Sequence, residues 1–429
     1  MRLILALFLG LPLLCAQSNL KWVATWAASA HGPYPSGNAS AQPNLRFAFP
    51  SPETGARDQS FRLIVQPDLW GGRMRFHFSN VFGDRPVTFD GVYVGLHLSG
   101  GAVQDATNRP VQFAGKQSVT IPAGDSVWSD AVDLKFVTKA ALSALQGRKL
   151  AVSFHVPGES GRMTWHAKAL TTSYLSAPGA GAKGQLADES AFPFTTTSWY
   201  FLDAVDVMAP SNTHVVVAFG DSITDGTAST LNGDDRWPND LSRRLHAAYG
   251  SRASVVNAGI GGNQVLGPAE YTVARPFSGG PAAGQRLERD VVALSGVTSV
   301  IWLEGINDFG ANATAEAVQA GMREIVGRLR KSIPGIKIIG ATVITALGAS
   351  GAHGSEAEDL KRKALNEFIR TGGLFDGVAD FDRATLDPAT GQLRPEFVPD
   401  STTGGAGDHL HPNRAGYLAI AAAIDIKSL

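Results

Sequence analysis

Cysteine is all but absent from this 429-residue sequence, with Cys15 the only one. A disulfide within the chain is therefore excluded, and with it the small cross-linked scaffolds that use sulfur in place of a core. Charge is sparse as well, at 17% of residues, and neither sign leads, since 37 Lys and Arg face 38 Asp and Glu. That balance excludes a basic nucleic-acid binder and an acidic disordered tail. No sustained heptad pattern is present, so a coiled coil is excluded too. The apolar run Leu3 to Leu14 is too short to span a bilayer, and no stable membrane insertion is expected.

What is present fits a globular chain. Hydrophobic residues make up 44%, and 48 Gly with 23 Pro favour a loop-rich, sheet-containing protein over a helical bundle. The length suggests two or three domains. Met1, Arg2, the run Leu3 to Leu14 and the small residue Ala16 have the order of a secretory signal peptide cleaved after Ala16, so export to the periplasm or beyond is expected. Lipid attachment at Cys15 is the rival reading, disfavoured because Leu14 is bulkier than lipoprotein processing usually accepts. Removal of residues 1–16 takes Arg2 and no acid, leaving 36 basic against 38 acidic side chains and no cysteine.

Residues 17–205 read as β-structure. Arg73 to Phe78 alternates polar and apolar, the period of a half-buried strand. Val87 to Leu98, Ser118 to Ile121 and Lys149 to Val156 are rich in β-branched or aromatic residues and bounded by turn signals, which suggests an all-β sandwich. Ser176 to Glu189, heavy in Ala, Gly, Pro and Ser, reads as a surface loop. Trp128, Trp165 and Trp199 read as core residues. From 206 to 429 the pattern changes. Val215 to Phe219 is a continuous apolar run suited to a parallel strand buried on both faces, and strands recur at 254–257, 297–303, 336–342 and 377–381. Between them fall helices marked by Trp237, Leu241 and Leu245, by Met322, Ile325, Val326 and Leu329, and by Leu360, Ala364, Leu365 and Phe368. This alternation predicts an α/β domain with a mainly parallel sheet and a ligand site at the carboxyl ends of its strands.

Four segments of that second part carry chemistry. The first strand runs into Gly220-Asp221-Ser222, a serine between a buried strand and a helix, where its oxygen can be exposed beside backbone amides. The same tripeptide at Gly124-Asp125-Ser126 has no helix behind it and reads as a turn. Asp408-His409-Leu410-His411 spaces a carboxylate and an imidazole so that Asp408 reaches one ring nitrogen of His411 and leaves the other free. Asp408, His409 and His411 all bear metal-ligating atoms, but no second cluster with ligand spacing accompanies them, and no metal is expected. Asn257 to Asn263 is a glycine-rich turn that can bring bare amides close to a ligand, and Asn307 in Gly305-Ile306-Asn307-Asp308 can donate to a developing oxyanion.

Together these segments, in this order, resemble the SGNH hydrolases, also called the GDSL esterase and lipase family. Gly305-Ile306-Asn307-Asp308 departs mildly from the commoner Gly-Gly-Asn-Asp. The resemblance covers about residues 213–429 and implies a three-layer, flavodoxin-like hydrolase domain. It implies Ser222 as nucleophile, His411 as base and Asp408 as its orienting partner. It also implies an oxyanion hole from the Ser222 and Gly262 amides and the Asn307 side chain, with Gly259 and Gly261 as rivals for the Gly262 role. A looser similarity, on Trp22 to Trp26 and Ser79 to Gly83, points to a secreted bacterial subgroup with an N-terminal, jelly-roll-like β-sandwich.

The expected protein is a secreted serine esterase that hydrolyses carboxylic, short-chain acyl esters through an acyl-enzyme, without metal or organic cofactor. The alternatives are a carbohydrate O-deacetylase and, in another class, a glycan-binding protein without turnover. Its expected partner is a small-molecule or glycan ester and not a nucleic acid. The stretches 264–285, with Tyr271 and Phe277, and 386–407 are expected to wall the substrate site. Because the reactive groups follow His214, loss of the front region is expected to harm solubility more than chemistry.

Overall fold

The computed structural model describes residues 20–429, so the expected signal segment and Cys15 lie outside the described residues. Six long strands organise the front part: β1 (Leu20–Ala27), β2 (Arg57–Val65), β3 (Arg73–Ser79), β4 (Val87–Ser99), β5 (Leu150–Glu159) and β6 (Leu202–Pro210). One antiparallel sheet has the order β1-β6-β3, and in a second β5 lies between β2 and β4. β3 shows why its residues make a strand: Met74, Phe76 and Phe78 turn inward while Arg73, Arg75 and His77 turn outward. The inner faces of the two sheets meet through aromatic rings. Phe78 of β3 has its ring centroid 5.4 Å from both Phe89 of β4 and Phe154 of β5. Trp165 and Trp199 are buried as expected, whereas Trp128 is half-buried with the Arg75 guanidinium 4.3 Å over its ring.

The expected break after residue 205 falls inside β6, which continues to Pro210. Asp206 is the reason the strand is hard to read, because a carboxylate in mid-strand suggests a loop. Here it is fully buried, paired with Arg75 at 2.8 Å and bonded by Ser295 Oγ at 2.7 Å. The change of architecture therefore comes at 211–213.

Beyond it, β7 (His214–Gly220), β8 (Ala253–Gly259), β9 (Val297–Leu303), β10 (Lys337–Ala341) and β11 (Gly377–Ala379) form one parallel sheet in the order β8-β7-β9-β10-β11. The chain goes outward from β7 to β8 and then returns past β7, so right-handed crossovers send successive helices to opposite faces. α1 (Trp237–Tyr249) packs with α4 (Arg414–Ala422), and α2 (Ala315–Ser332) with α3 (Glu356–Thr371). The reversal at β7 opens a crevice at its carboxyl end, where Ser222 lies.

α3 differs from its sequence reading. Leu360 is 66% exposed and Ala364 is exposed, while Arg362 and Asn366 are buried beside Leu365 and Phe368. Apolarity misleads here because the buried polar groups are partnered. Arg362 bonds Asp359 and Asp382, and the Asn366 amide both accepts from and donates to the Val343 peptide at 2.7 and 2.8 Å.

The front part and the α/β part share one core. A continuous apolar cluster runs from Val23, Val65 and Val207 to Val215, Val255 and Val297. Backbone and side-chain bonds stitch the seam, with Ala24 N–H donating to Ser295 O at 2.8 Å and Ser254 Oγ donating to Ala24 O at 2.7 Å. The chain is therefore expected to unfold in one calorimetric transition, and residues 211–429 expressed alone to lack cooperative melting. Two separate transitions in the whole chain would overturn this.

Candidate active site

The serine is held by the way β7 ends. Asp221 caps the short helix Ser222–Asp225, its Oδ1 accepting from Ile223 N–H at 3.0 Å, and Gly226 closes the turn in the left-handed region. Ser222 is the first helical residue, so its own N–H has no intrahelical acceptor and the positive end of the helix lies at its oxygen. The helix can lie this close to β8 only because residue 259 is glycine, as a Cβ there would sit 2.3 Å from Asp225 N.

Ser222 Oγ lies 2.7 Å from His411 Nε2, and His411 Nδ1 lies 2.6 Å from Asp408 Oδ2. The other Asp408 oxygen accepts from the N–H groups of Leu410 and His411 at 2.9 and 2.8 Å, so one carboxylate fixes both the ring and the turn that carries it. Burial pushes the Asp408 carboxyl up, but the hydrogen bond and charge of His411 and these backbone donors outweigh it and hold Asp408 well below the usual carboxylate range. Nδ1–H donating to Asp408 leaves Nε2 as the acceptor for the serine proton. Ser222, His411 and Asp408 are thus brought together, whereas Ser126 sits on an exposed strand edge paired with β3.

Beside Ser222 runs the glycine turn after β8. The Gly259 N–H is taken by Asn257 Oδ1 at 2.8 Å and the Gly261 N–H by Asp225 Oδ2 at 2.9 Å. Gly262 N–H has no acceptor among the described residues, and Gly262 has a φ of 83°, which a side chain would strain. Asn307 Nδ2 donates one proton to Asn263 O at 2.9 Å, which fixes the amide and leaves its second N–H open. Asp308 clamps the following loop, accepting from Val265 and Leu266 N–H groups, each at 2.9 Å.

Below this surface lies a group that reading the sequence missed. Arg286, fully buried, donates to Gly220 O, Ala258 O, Asn263 Oδ1 and Asp290 Oδ2 at 2.9, 2.7, 2.7 and 3.0 Å, and lies 3.7 Å from Glu304. No motif marks it. The same layer holds carboxyl groups that burial shifts upward: Asp221 is pushed up to about 8, with Glu304 and Asp308 reinforcing the shift against the Ile223 N–H bond. Burial likewise pushes Glu304 up to about 7 against the Arg286 charge.

Two polar side chains at the site come from the front part. Lys168 Nζ and Asn38 Nδ2 lie 3.0 and 3.2 Å from the place a Cβ on Gly261 would occupy. The groups at Ser222 do all follow His214, but the ground they stand on does not. Tyr271, expected at the substrate wall, instead donates its hydroxyl to His31 O at 3.1 Å and packs its ring on Phe82. The 386–407 stretch does reach the serine helix's end, with Ser401 N–H donating to Ala228 O. A cavity of about 500 Å³ lies elsewhere, between the front part and α1, lined by Trp26, Asp68, Arg236 and His246. Among the described residues no three His, Cys, Asp or Glu side chains converge as metal ligands.

Residues 218–419 match the GDSL-like lipase/acylhydrolase family. This stretch is a GDSL-like lipase/acylhydrolase domain. The reaction class follows from it, the hydrolysis of carboxylic esters. No curated protein matches the chain. Among solved structures, the chain is similar to Est24, a carbohydrate acetylesterase from Sinorhizobium meliloti, at 14% identity over 49% of this chain and 96% of that one, with a TM-score of 0.37. It is similar to the aryl esterase of M. smegmatis at 18% identity over 51% and 99%, TM-score 0.37. It is also similar to LAE5, a hydrolase from the metagenome of Lake Arreo, Spain, at 22% identity over 49% and 92%, TM-score 0.36. Likeness at that level bears on neither activity nor substrate.

The upward shift of Asp221 makes a prediction about stability. Between about pH 4 and pH 8 its carboxyl is ionised in the unfolded chain and protonated in the folded one, so wild type loses stability as pH rises through that window. Asp221→Asn keeps the acceptor for Ile223 N–H and does not titrate. The variant should therefore gain stability relative to wild type as pH climbs from about 4 to about 8, read as the difference in Tm. A difference constant across that range would show that the buried carboxyl is ionised.

Proposed function

We propose that the protein is an exported serine esterase acting on short-chain acyl esters, with Ser222 as nucleophile, His411 as base and Asp408 as its orienting partner. The observation that carries this reading is the unbroken line from Ser222 Oγ through His411 to Asp408 at 2.7 and 2.6 Å. In the reaction, Ser222 Oγ forms a bond to the ester carbonyl carbon as its proton passes to His411 Nε2. The oxyanion is met by the N–H groups of Ser222 and Gly262 and by the open N–H of Asn307. Collapse breaks the bond to the alcohol, which leaves with the proton from His411. Water then attacks the acyl-serine, giving its proton to His411, and the acid departs as Ser222 regains a proton.

Short acyl groups are favoured because Asn38 and the buried Lys168 close the ground beside the Gly261–Gly262 turn with polar ends, which offer a long alkyl chain no apolar surface to pack on. Export is supported by Arg2, the run Leu3 to Leu14 and Ala16. The region before residue 211 is read as an accessory unit to the hydrolase that follows.

The test is a panel of acyl esters from acetyl to decanoyl together with acetylated polysaccharides. Acetyl and butyryl esters should turn over at least about tenfold faster than decanoyl esters. Uniform inactivity of a folded protein would defeat the reading. Ser222→Ala should lower kcat on the order of 10⁴-fold or more, while Ser126→Ala leaves it nearly unchanged.

Asn307→Ala should lower kcat by about 10² to 10³ with KM within a few-fold, since its donor acts only as the oxyanion forms. If Asn307 served only the local structure, melting temperature would fall and kcat would hold.

A further inference from the structure

The front part reaches the reactive site through one buried carboxylate. Asp225 lies at the end of the serine helix, and its Oδ2 accepts the Gly261 N–H at 2.9 Å, one residue before the open N–H of Gly262. The groups that face Asp225 come from the front part. His166 Nε2 is 3.1 Å from Oδ1 and His31 Nε2 is 3.7 Å from Oδ2. Lys168, itself buried, donates to Thr227 Oγ1 just beyond the same helix and lies against Gly261.

The neighbours of these rings set which way each nitrogen works. His31 Nδ1 accepts from Ala167 N–H at 3.2 Å, so its proton is on Nε2, facing Asp225. His166 Nδ1 faces Ser29 O at 2.7 Å, while its Nε2 faces Lys168 O and Asp225 Oδ1, each at 3.1 Å. Acceptors therefore stand on both sides of the His166 ring.

We propose that His166 and Lys168 are positioning residues of the esterase site: they brace Asp225 and the end of the serine helix, and Asp225 holds the Gly261–Gly262 turn so that the Gly262 N–H is aimed at the oxyanion. The inference rests on the ester-hydrolase reading above and extends it to residues of the β-rich part. Burial alone would push Asp225 up, yet His166, Lys168 and His31 together hold it down to about 2. A charged acceptor binds an N–H about twice as strongly as a neutral one, and an oxyanion donor displaced by a fraction of an ångström loses much of its effect. Glycine at 261 suits the same arrangement, because a Cβ there would press on Lys168 Nζ and Asn38 Nδ2 at 3.0 and 3.2 Å.

The test pairs kinetics with hydrogen exchange on the full chain. Asp225→Asn, nearly isosteric, and Lys168→Met should each lower kcat about 10- to 100-fold with KM within about threefold, because the loss falls on a transition-state donor. In an Asp225→Asn background, adding Lys168→Met should cost less than about a further twofold, since both act through one carboxylate. Amide exchange in the peptide spanning 258–265 should quicken in Asp225→Asn while strands β7 and β9 stay protected. Full additivity, or wild-type kcat and wild-type exchange in a folded Asp225→Asn, would overturn the proposal. If Lys168→Met does not fold, Asp225→Asn and His166→Gln decide it by the same two readouts. Exchange requires no turnover, so a wild type inactive on every ester would defeat the proposed function while the anchorage of the turn is still decided.

Discussion

The Arg286 guanidinium is the contact on which the geometry of the site depends. Three strand ends must meet at fixed spacing for a serine, a glycine amide and an asparagine amide to converge, and nothing in a parallel sheet alone fixes how those ends turn away. Arg286 does so by holding Gly220 O at the end of β7, Ala258 O near the end of β8 and Asn263 Oδ1 in the turn beyond, with Glu304 after β9 within 3.7 Å. A cation without solvent is costly, several kcal/mol before compensation. Here Asp290 and carbonyl oxygens supply that compensation, and the Phe219 ring lies 4.1 Å beneath the guanidinium. Removing one partner of such a pair typically costs about 3 to 5 kcal/mol, which makes the hub rigid.

The legible part of this fold was the part whose signal is local. Val215 to Phe219 could be read as a buried strand because it is apolar throughout, and Ser222 could be placed at its end because a glycine-flanked serine between strand and helix has few other uses. Asp408 and His411 were legible from their spacing. Asp206, Arg362 and Arg286 were not. Each is a charge that looks like surface in one dimension and is buried through partners tens to hundreds of residues away, as with Arg75 for Asp206 and Asp382 for Arg362. Periodicity assigns such residues to solvent, so a reading by periodicity ends β6 at 205 and draws the buried face of α3 through Leu360.

The same limit explains why the front part looked separable. Its strands have their own aromatic core, and no chemical motif falls within it. Yet His31, Lys168 and His166 are placed by strand and loop packing into contact with a helix that begins at Ser222, and only the folded chain brings residue 31 to residue 225. Asp225 itself was in view, inside the glycine-bounded segment after β7, but a carboxylate three residues after a nucleophile has no meaning until its partners are known.

A buried polar seam of this kind has a cost that a hydrophobic seam would not. Apolar residues of similar volume at 31, 166, 168 and 225 would avoid desolvating four ionisable groups, and such replacements are often neutral or stabilising. What an apolar seam cannot do is fix a backbone N–H in direction, because dispersion contacts are not directional whereas a hydrogen bond to a carboxylate is. The turn that follows β8 is held at its ends by the buried Ile260 and Asn263, but Gly261 and Gly262 between them have no side chain to pack, and the Gly262 N–H must stay unpartnered. A directional anchor one residue away, on Gly261, satisfies both demands at once. The β-rich part then does more than cover apolar surface, since it brings Lys168 and His166 against this buried anchor.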